Sequence, residues 1–75
     1  AAYQLAKIYF DKKQYELAQQ TMSNALANNP TPEMLWLGVR IERQLGNKDA
    51  ESSYTLELKR NYPDAPQTQS LLSGS

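Results

Sequence analysis

The chain has 75 residues, with eight basic and eight acidic side chains, no histidine and no cysteine. A chain of this size buries only about 60% of the surface that its unfolded form exposes, so stability is marginal without a metal, a disulfide or a neighbour. The missing residue types exclude disulfides and the common metal ligands, and we expect no cofactor. Scattered, balanced charge gives no patch for nucleic acid or an anionic membrane. A neighbouring protein segment remains as the source of extra stability.

The first half of the sequence has the pattern of two helices joined by a short turn. Apolar residues at the spacing of one helical face occupy residues 1–11. The polar run 11–14 interrupts this pattern, and a second helical face begins at Tyr15. The sequence Asn-Asn-Pro at 28–30 ends the second helix, because proline disfavours helical geometry in the residue before it.

A third helix is predicted from about Pro32 to Leu45. Thr31 suits the N-cap, Pro32 suits the first helical position, and Glu33 places negative charge at the positive end of the helix dipole. Gly46 tolerates the left-handed backbone geometry that ends many helices. These signals bound the helix at both ends.

The last part of the sequence predicts a fourth helix and a short fifth one. The fourth runs from about 48 to 61 and ends before Pro63. Residues 67–72 can form one or two further turns, and 73–75 read as a frayed tail.

An internal repeat appears when the sequence is compared with itself at an offset of 32 residues. Small residues recur at two of the matched positions, where they let antiparallel helices approach closely, and large residues fill the space beside them. We therefore assign helix packing to Leu5, Ala6, Tyr9, Ala18, Met22, Leu37, Gly38, Ile41, Ala50 and Tyr54; Leu26 and Leu58 are the remaining matched pair.

These positions resemble the tetratricopeptide repeat, whose unit carries Leu-Gly, Tyr, Ala, an aromatic residue, Ala and Pro at set offsets. The resemblance implies an all-α fold with two helix-turn-helix units at 1–30 and 31–63, a capping segment at 64–75, and a place at the end of a right-handed solenoid. The first unit matches at Leu5, Ala6, Tyr9, Ala18, Met22, Ala25 and Pro30, and the second at Leu37, Gly38, Ile41, Ala50 and Tyr54.

A narrower resemblance covers residues 35–67. The pattern W-L-G-x-R-I-x-R at 36–43 and the ending Tyr62-Pro63-Asp64 look like the last repeat of the pilotins, the tetratricopeptide lipoproteins of type IV pilus biogenesis. This resemblance implies a non-enzymatic, lipid-anchored protein at the periplasmic face of the outer membrane that supports secretin assembly or localisation. The lipid-bearing cysteine and the earlier repeats are absent from these 75 residues, so we expect a longer protein.

The third helix is apolar on two sides. Leu37 and Ile41 belong to the side predicted to face the fourth helix, whereas Leu35, Trp36 and Val39 form a second apolar side. Stacking on the preceding repeat explains this second side, because each unit of a solenoid contacts its neighbours. Binding of a partner segment in the concave groove explains it equally for Leu35 and Val39.

The matching concave positions of the first unit are Tyr3, Lys7 and Phe10. A large exposed aromatic marks an interface, although Phe10 can instead contact the first helix of the next repeat. The expected partner is a secretin subunit or another pilus-assembly component. The candidate partner-binding residues are Tyr3, Lys7, Phe10, Leu35, Val39, Glu42 and Arg43.

Two arginines of the third helix, Arg40 and Arg43, have two interpretations. They can bind an acidic partner, or they can pair within the chain with Glu33, Glu42 or Glu51 or face solvent, and we favour this second interpretation.

Catalysis is not expected. The chain lacks the histidine and cysteine of the usual triads, its glycines form no phosphate loop, and Asp49 and Glu51 point to different sides of a helix.

Two further expectations follow from the small number of repeats. Fewer than three repeats are usually too few for independent stability, so the isolated piece should self-associate or exchange a helix. The alternative function is that of a purely structural cap on a solenoid whose binding surface lies upstream.

Overall fold

Five helices account for most of residues 2–27 and 30–72, the part of the chain that the computed structural model describes. No strand occurs in those ranges, and none of these helices is long and apolar enough to cross a membrane. The predicted end of the second helix at Asn28 and Asn29 and the predicted tail at 73–75 lie outside the described residues. The helices are α1 (Ala2–Asp11), α2 (Tyr15–Leu26), α3 (Pro32–Leu45), α4 (Lys48–Asn61) and α5 (Pro66–Leu72).

The predicted start and end of α3 are confirmed. The Thr31 side chain caps the helix, because its Oγ1 accepts a hydrogen bond from the Met34 N–H at 3.3 Å, and Pro32 is the first helical residue. At the other end Gly46 has a φ of 78°, the left-handed geometry that glycine adopts without strain. Local sequence therefore fixes the length of the central helix.

The first hydrophobic core joins the two units. Ala6 of α1 and Ala18 and Met22 of α2 are buried together with Leu37 and Ile41 of α3. The second unit thus completes the core of the first, as expected for stacked repeats, but it does so through Leu37 and Ile41. The prediction that these two residues face α4 is wrong. Leu35 and Val39, predicted to face the preceding repeat or a partner, pack with Leu58 of α4 instead. The all-α tetratricopeptide architecture is confirmed, while the division at 1–30, 31–63 and 64–75 stays a prediction.

The second hydrophobic core lies on the other side of α3. Leu35 and Val39 of α3 are buried with Leu58 of α4, and Tyr62 and Leu71 pack against them. Leu71 belongs to α5, so the short last helix covers the second apolar side of α3. Here α5 substitutes for the neighbour that a further repeat would supply.

Hydrogen bonds fasten the C-terminal segment to the rest of the fold. The buried Thr68 hydroxyl of α5 donates to the carbonyl oxygens of Tyr62 and Leu58, at 2.5 and 3.4 Å, where α4 ends. The Tyr62 hydroxyl donates to the Pro30 carbonyl oxygen at 2.6 Å, just before α3. These bonds join α5 to the end of α4, and the end of α4 to the segment before α3.

The structure corrects the expected role of Leu5. Its repeat equivalent Leu37 is only 4% exposed, because α1 and α2 cover it, whereas Leu5 is 45% exposed and its neighbour Ile8 50%. No helix of the described chain covers the corresponding side of α1. The other residues assigned to helix packing are buried or half-buried: Ala6, Tyr9, Ala18, Met22, Leu37, Gly38, Ile41, Ala50 and Tyr54.

The closest approach of α3 and α4 occurs at Gly38. A Cβ atom at this position would lie 3.1 Å from both Cδ2 and Cε2 of the Tyr54 ring. Burial raises the pKa of the Tyr54 hydroxyl, and the negative charges of Glu42 and Glu57 raise it further. The Tyr54 ring is therefore held against the helix backbone in a partly desolvated position.

Replacing Gly38 with valine should destabilise the fold by about 1–3 kcal/mol, because the added methyl groups meet the Tyr54 ring in a packed contact. Urea unfolding followed by circular dichroism measures the loss. The matched control is Gln44→Val, which places the same β-branched residue at an exposed position of α3. Equal stability of the two variants would contradict the close approach.

Candidate functional site

A groove lies between α1, α3 and the start of α5, and it encloses a cavity of about 80 Å³. We call it the α1–α3 groove. Three aromatic residues line it together with two cationic and two anionic side chains, an unusual mixture for so small a space. The lining residues are Tyr3, Lys7, Phe10 and Asp11 of α1, Glu33, Trp36, Leu37 and Arg40 of α3, and Gln67 of α5.

The groove exists because two helix faces of regular spacing oppose each other. Residues three and four positions apart lie on one side of a helix, and both faces follow this spacing. The helices α1 and α3 touch each other much less than either touches α2, so a gap remains between their faces. These faces consist of Tyr3, Lys7 and Phe10 on α1 and of Glu33, Trp36 and Arg40 on α3.

Phe10, near the C-terminus of α1, contacts two other side chains at one end of the groove. The Arg40 guanidinium lies over its ring, with Cζ 4.7 Å from the ring centroid, in cation–π geometry. Tyr15 meets the same ring edge-on, with centroids 5.4 Å apart. Phe10 therefore contacts the first helix of the next unit, which confirms the stacking alternative for this residue.

The structure places two of the candidate residues elsewhere. Leu35 and Val39 are 1% and 0% exposed beneath α5, so they line no open groove. At the repeat offset of 32 they correspond to Tyr3 and Lys7, which face α3 in the first unit. In the second unit α5 covers the equivalent positions, and the expectation that these two residues face a partner is wrong for this structure.

Glu42 is also buried rather than at the edge of a groove. It is 3% exposed, and its carboxylate accepts hydrogen bonds from Gln19 Nε2 at 2.9 and 3.0 Å and from Asn47 Nδ2 at 2.9 Å. Amide donors make the buried carboxylate tolerable, because an unpaired buried charge is strongly destabilising. Glu42 therefore ties α2 of the first unit to the α3–α4 turn of the second.

The two arginines of α3 have different roles. Arg43 Nε lies 2.9 Å from Glu51 Oε2 in an ion pair between α3 and α4, outside the groove. The preferred intramolecular pairing is thus confirmed for Arg43. Arg40 forms no ion pair with another described residue, so pairing with a glutamate is wrong for it, and its exposed guanidinium stacks on Phe10.

Comparison with known proteins places these features in context. No family model matches the chain, and no curated protein matches it either. A solved structure of PilF from Pseudomonas aeruginosa, a pilus lipoprotein with tetratricopeptide repeats, does match, with a TM-score of 0.86 and 27% sequence identity. The chain is similar to PilF and shares its fold. The match covers 99% of this chain and 34% of PilF, so the chain spans about a third of the length of that protein.

The PilF-like fold explains which groove residues sequence analysis missed. The residues that line the groove but are not among the candidates are Asp11, Glu33, Trp36, Arg40 and Gln67. From the sequence, Trp36 is assigned to stacking on the preceding repeat and Arg40 to pairing within the chain, so neither is a candidate for partner binding. The spacing of Trp36 and Arg40, four residues apart, was the available signal for the side of α3 that faces the groove. No sequence signal placed Gln67.

The groove of this chain carries charged side chains and no metal-binding cluster within the described residues. No group of acidic, histidine or cysteine side chains that could hold a metal occurs among the described residues. Lys7, Asp11 and Glu33 line the groove without an ion pair to the rest of the described chain, so their charges are available to an occupant. The structural match to PilF supports a scaffold of the tetratricopeptide type.

The contact between Glu42 and Gln19 should carry a measurable part of the stability. Gln19→Ala removes one of the two side-chain amides that bond the buried carboxylate, and we expect a loss of about 1–3 kcal/mol in the free energy of unfolding. Urea unfolding checks this value. Gln20→Ala, the same change at the exposed neighbouring position, should have little effect. An equally small effect of Gln19→Ala would show that Glu42 does not depend on this bond.

Proposed function

We propose that the chain is part of a pilotin-like protein that supports assembly or localisation of an outer-membrane secretin in type IV pilus biogenesis. In this proposal it is a non-enzymatic scaffold at the periplasmic face of the outer membrane, within a protein carrying a lipid anchor. Its partner is a secretin subunit or another pilus-assembly component.

The main support for the proposal is the structural match to PilF, which covers 99% of the chain at a TM-score of 0.86. At 27% identity, the likeness extends to sequence as well as to the helix arrangement. The resemblance of residues 35–67 to the last pilotin repeat supports the same role. The two lines of support depend on different properties of the molecule, its shape and its local motif.

The α1–α3 groove is the surface that this function would use. Lys7 is exposed, and Tyr3 and Phe10 are half-buried on the same face of α1. Aromatic side chains beside charged groups are typical of binding surfaces, because rings supply contact area and charges supply orientation. A segment of the partner lying along α1 would contact all three residues.

A second candidate function has its own observation. Because α5 covers Leu35 and Val39, the second unit presents a closed side where a further repeat would stack. This arrangement favours a structural cap for a solenoid whose binding surface lies elsewhere. Capping and partner binding make different predictions for a surface change that leaves folding intact.

Charge reversal at Lys7 separates the two functions. In the bacterium that carries the gene, Lys7→Glu should lower the amount of secretin multimer in the outer-membrane fraction, and binding to the isolated secretin should weaken about tenfold, the equivalent of 1.4 kcal/mol. Lys59→Glu is the matched control, since Lys59 is equally exposed on α4, outside the groove.

Deletion of the gene completes the test. Normal secretin multimers in the deletion strain would contradict the pilotin role itself. If deletion removes the multimers while Lys7→Glu folds and behaves like Lys59→Glu, the groove is not the secretin-binding surface and the structural cap is favoured.

A further inference from the structure

The outer side of α1, the side of Leu5, is open although its repeat equivalent is covered. At the offset of 32 residues Leu5 corresponds to Leu37 of α3, which is 4% exposed because α1 and α2 pack against it. Leu5 itself is 45% exposed. On α2 the residues that cover Leu37 include Ala18 and Met22, which are four positions apart on one side of the helix. A helix with the same pattern of a small and a large residue would cover Leu5 in the same way.

That pattern occurs on α4 of the same chain. Ala50 and Tyr54 are the repeat equivalents of Ala18 and Met22, and Leu58 follows four residues later. Ala18 and Met22 are 0% and 2% exposed in the core that they form with α3, whereas Ala50 and Tyr54 are only half-buried. This face of α4 therefore resembles the face of α2 that packs on α3, but it is less completely covered.

The short helix α5 covers one part of the α4 face. Leu71 of α5 packs against the buried cluster that contains Leu58, and the Thr68 hydroxyl donates to the carbonyl oxygens of Leu58 and Tyr62. However, α5 has only seven residues, and Ala50, near the start of α4, stays half-buried. The helix α1 has 10 residues, so in the place of α5 it could cover a longer part of this face. Burial of apolar area stabilises such a contact in proportion to the area covered.

We propose that the α4 face of one copy of the chain, with α5 displaced, binds the outer side of α1 of a second copy. The occupant is a second copy because the two surfaces are the repeat equivalents of the α2 and α3 surfaces that already pack on each other within one chain. The contact is head-to-tail, so further copies can add in a row, and a docked α5 ends the row. This inference does not rest on the proposed function, and it applies to chains in which α1 is open, as in this structure.

The linker between α4 and α5 favours the docked state of α5. Only residues 62–65 join the two helices, and a short linker gives a tethered group an effective concentration in the millimolar range. At micromolar concentration a second copy competes poorly with α5, so we expect the parent chain to be a monomer. The self-association expected from the small number of repeats is then confined to chains whose α5 is undocked.

Two substitutions test the two surfaces separately. Leu71→Asp should undock α5 and open the α4 face, and Leu5→Glu should block the outer side of α1. Size-exclusion chromatography with light scattering measures the mass. Leu71→Asp should form multimers whose mass rises with concentration, and addition of Leu5→Glu should return the chain to a monomer. In an equimolar mixture, this double variant and the parent chain should form a heterodimer with one copy of each, because one offers an open α4 face and the other an open α1.

Each substitution has a matched control. Leu72→Asp places the same charge next to Leu71, on a side chain that is 61% exposed, and should leave the chain a monomer. Ile8→Glu adds the same charge to α1 as Leu5→Glu does. The repeat equivalent of Ile8 is Arg40, which stays exposed in the second unit, so Ile8→Glu should leave the multimers of Leu71→Asp intact.

A milder variant covers the case in which Leu71→Asp unfolds the chain, which circular dichroism detects. Thr68→Ala removes only the hydroxyl that bonds to the Tyr62 and Leu58 carbonyl oxygens, and it should give the same multimers at higher concentration. Folded monomers in both variants, multimers that persist with Leu5→Glu, or an equimolar mixture without heterodimer would each overturn the proposal. None of these results bears on secretin assembly, which the Lys7→Glu strain measures.

Discussion

Burial of α3 on two opposite sides is the constraint on which the rest of the structure depends. One side inserts Leu37 and Ile41 into the core of the first unit, and the other holds Leu35 and Val39 against α4 and α5. A helix with two apolar sides is stable only when both are covered, since each buried aliphatic side chain contributes about 1.5–3 kcal/mol. The first unit covers one side and the C-terminal segment covers the other, so neither end of the chain is dispensable to the central helix.

Burial of α3 on both sides also determines which part of its surface stays open. Because α5 lies over the second unit, the face that would otherwise continue the groove is closed, and the accessible part is the gap between α1 and α3. Arg40 partly fills that gap by stacking on Phe10, and Gln67 closes its side. The groove is therefore short and lined by a mixture of aromatic and charged side chains.

The bounds of the helices could be predicted from the sequence, whereas the burial of several candidate binding residues could not. The cap at Thr31 and the left-handed Gly46 are local signals. The 32-residue repeat predicted a close approach of two helices at Gly38, where the structure places the Tyr54 ring. Burial of Leu35 depends instead on where a short distant helix docks, and no local pattern encodes that. Glu42 was misplaced for a related reason: a glutamate is expected at the surface, and only the two amides contributed by other segments make its buried position stable.

The packing of α5 over the second apolar side of α3 can be measured by the solvent paramagnetic relaxation of methyl groups. A soluble gadolinium chelate is added to the methyl-labelled chain, and the relaxation of each methyl signal is measured. The Val39 and Leu35 methyl groups should be protected to the same degree as those of Ile41, while the exposed Ile8 relaxes strongly. Relaxation of Val39 as strong as that of Ile8 would show that the face is open, and would contradict the account.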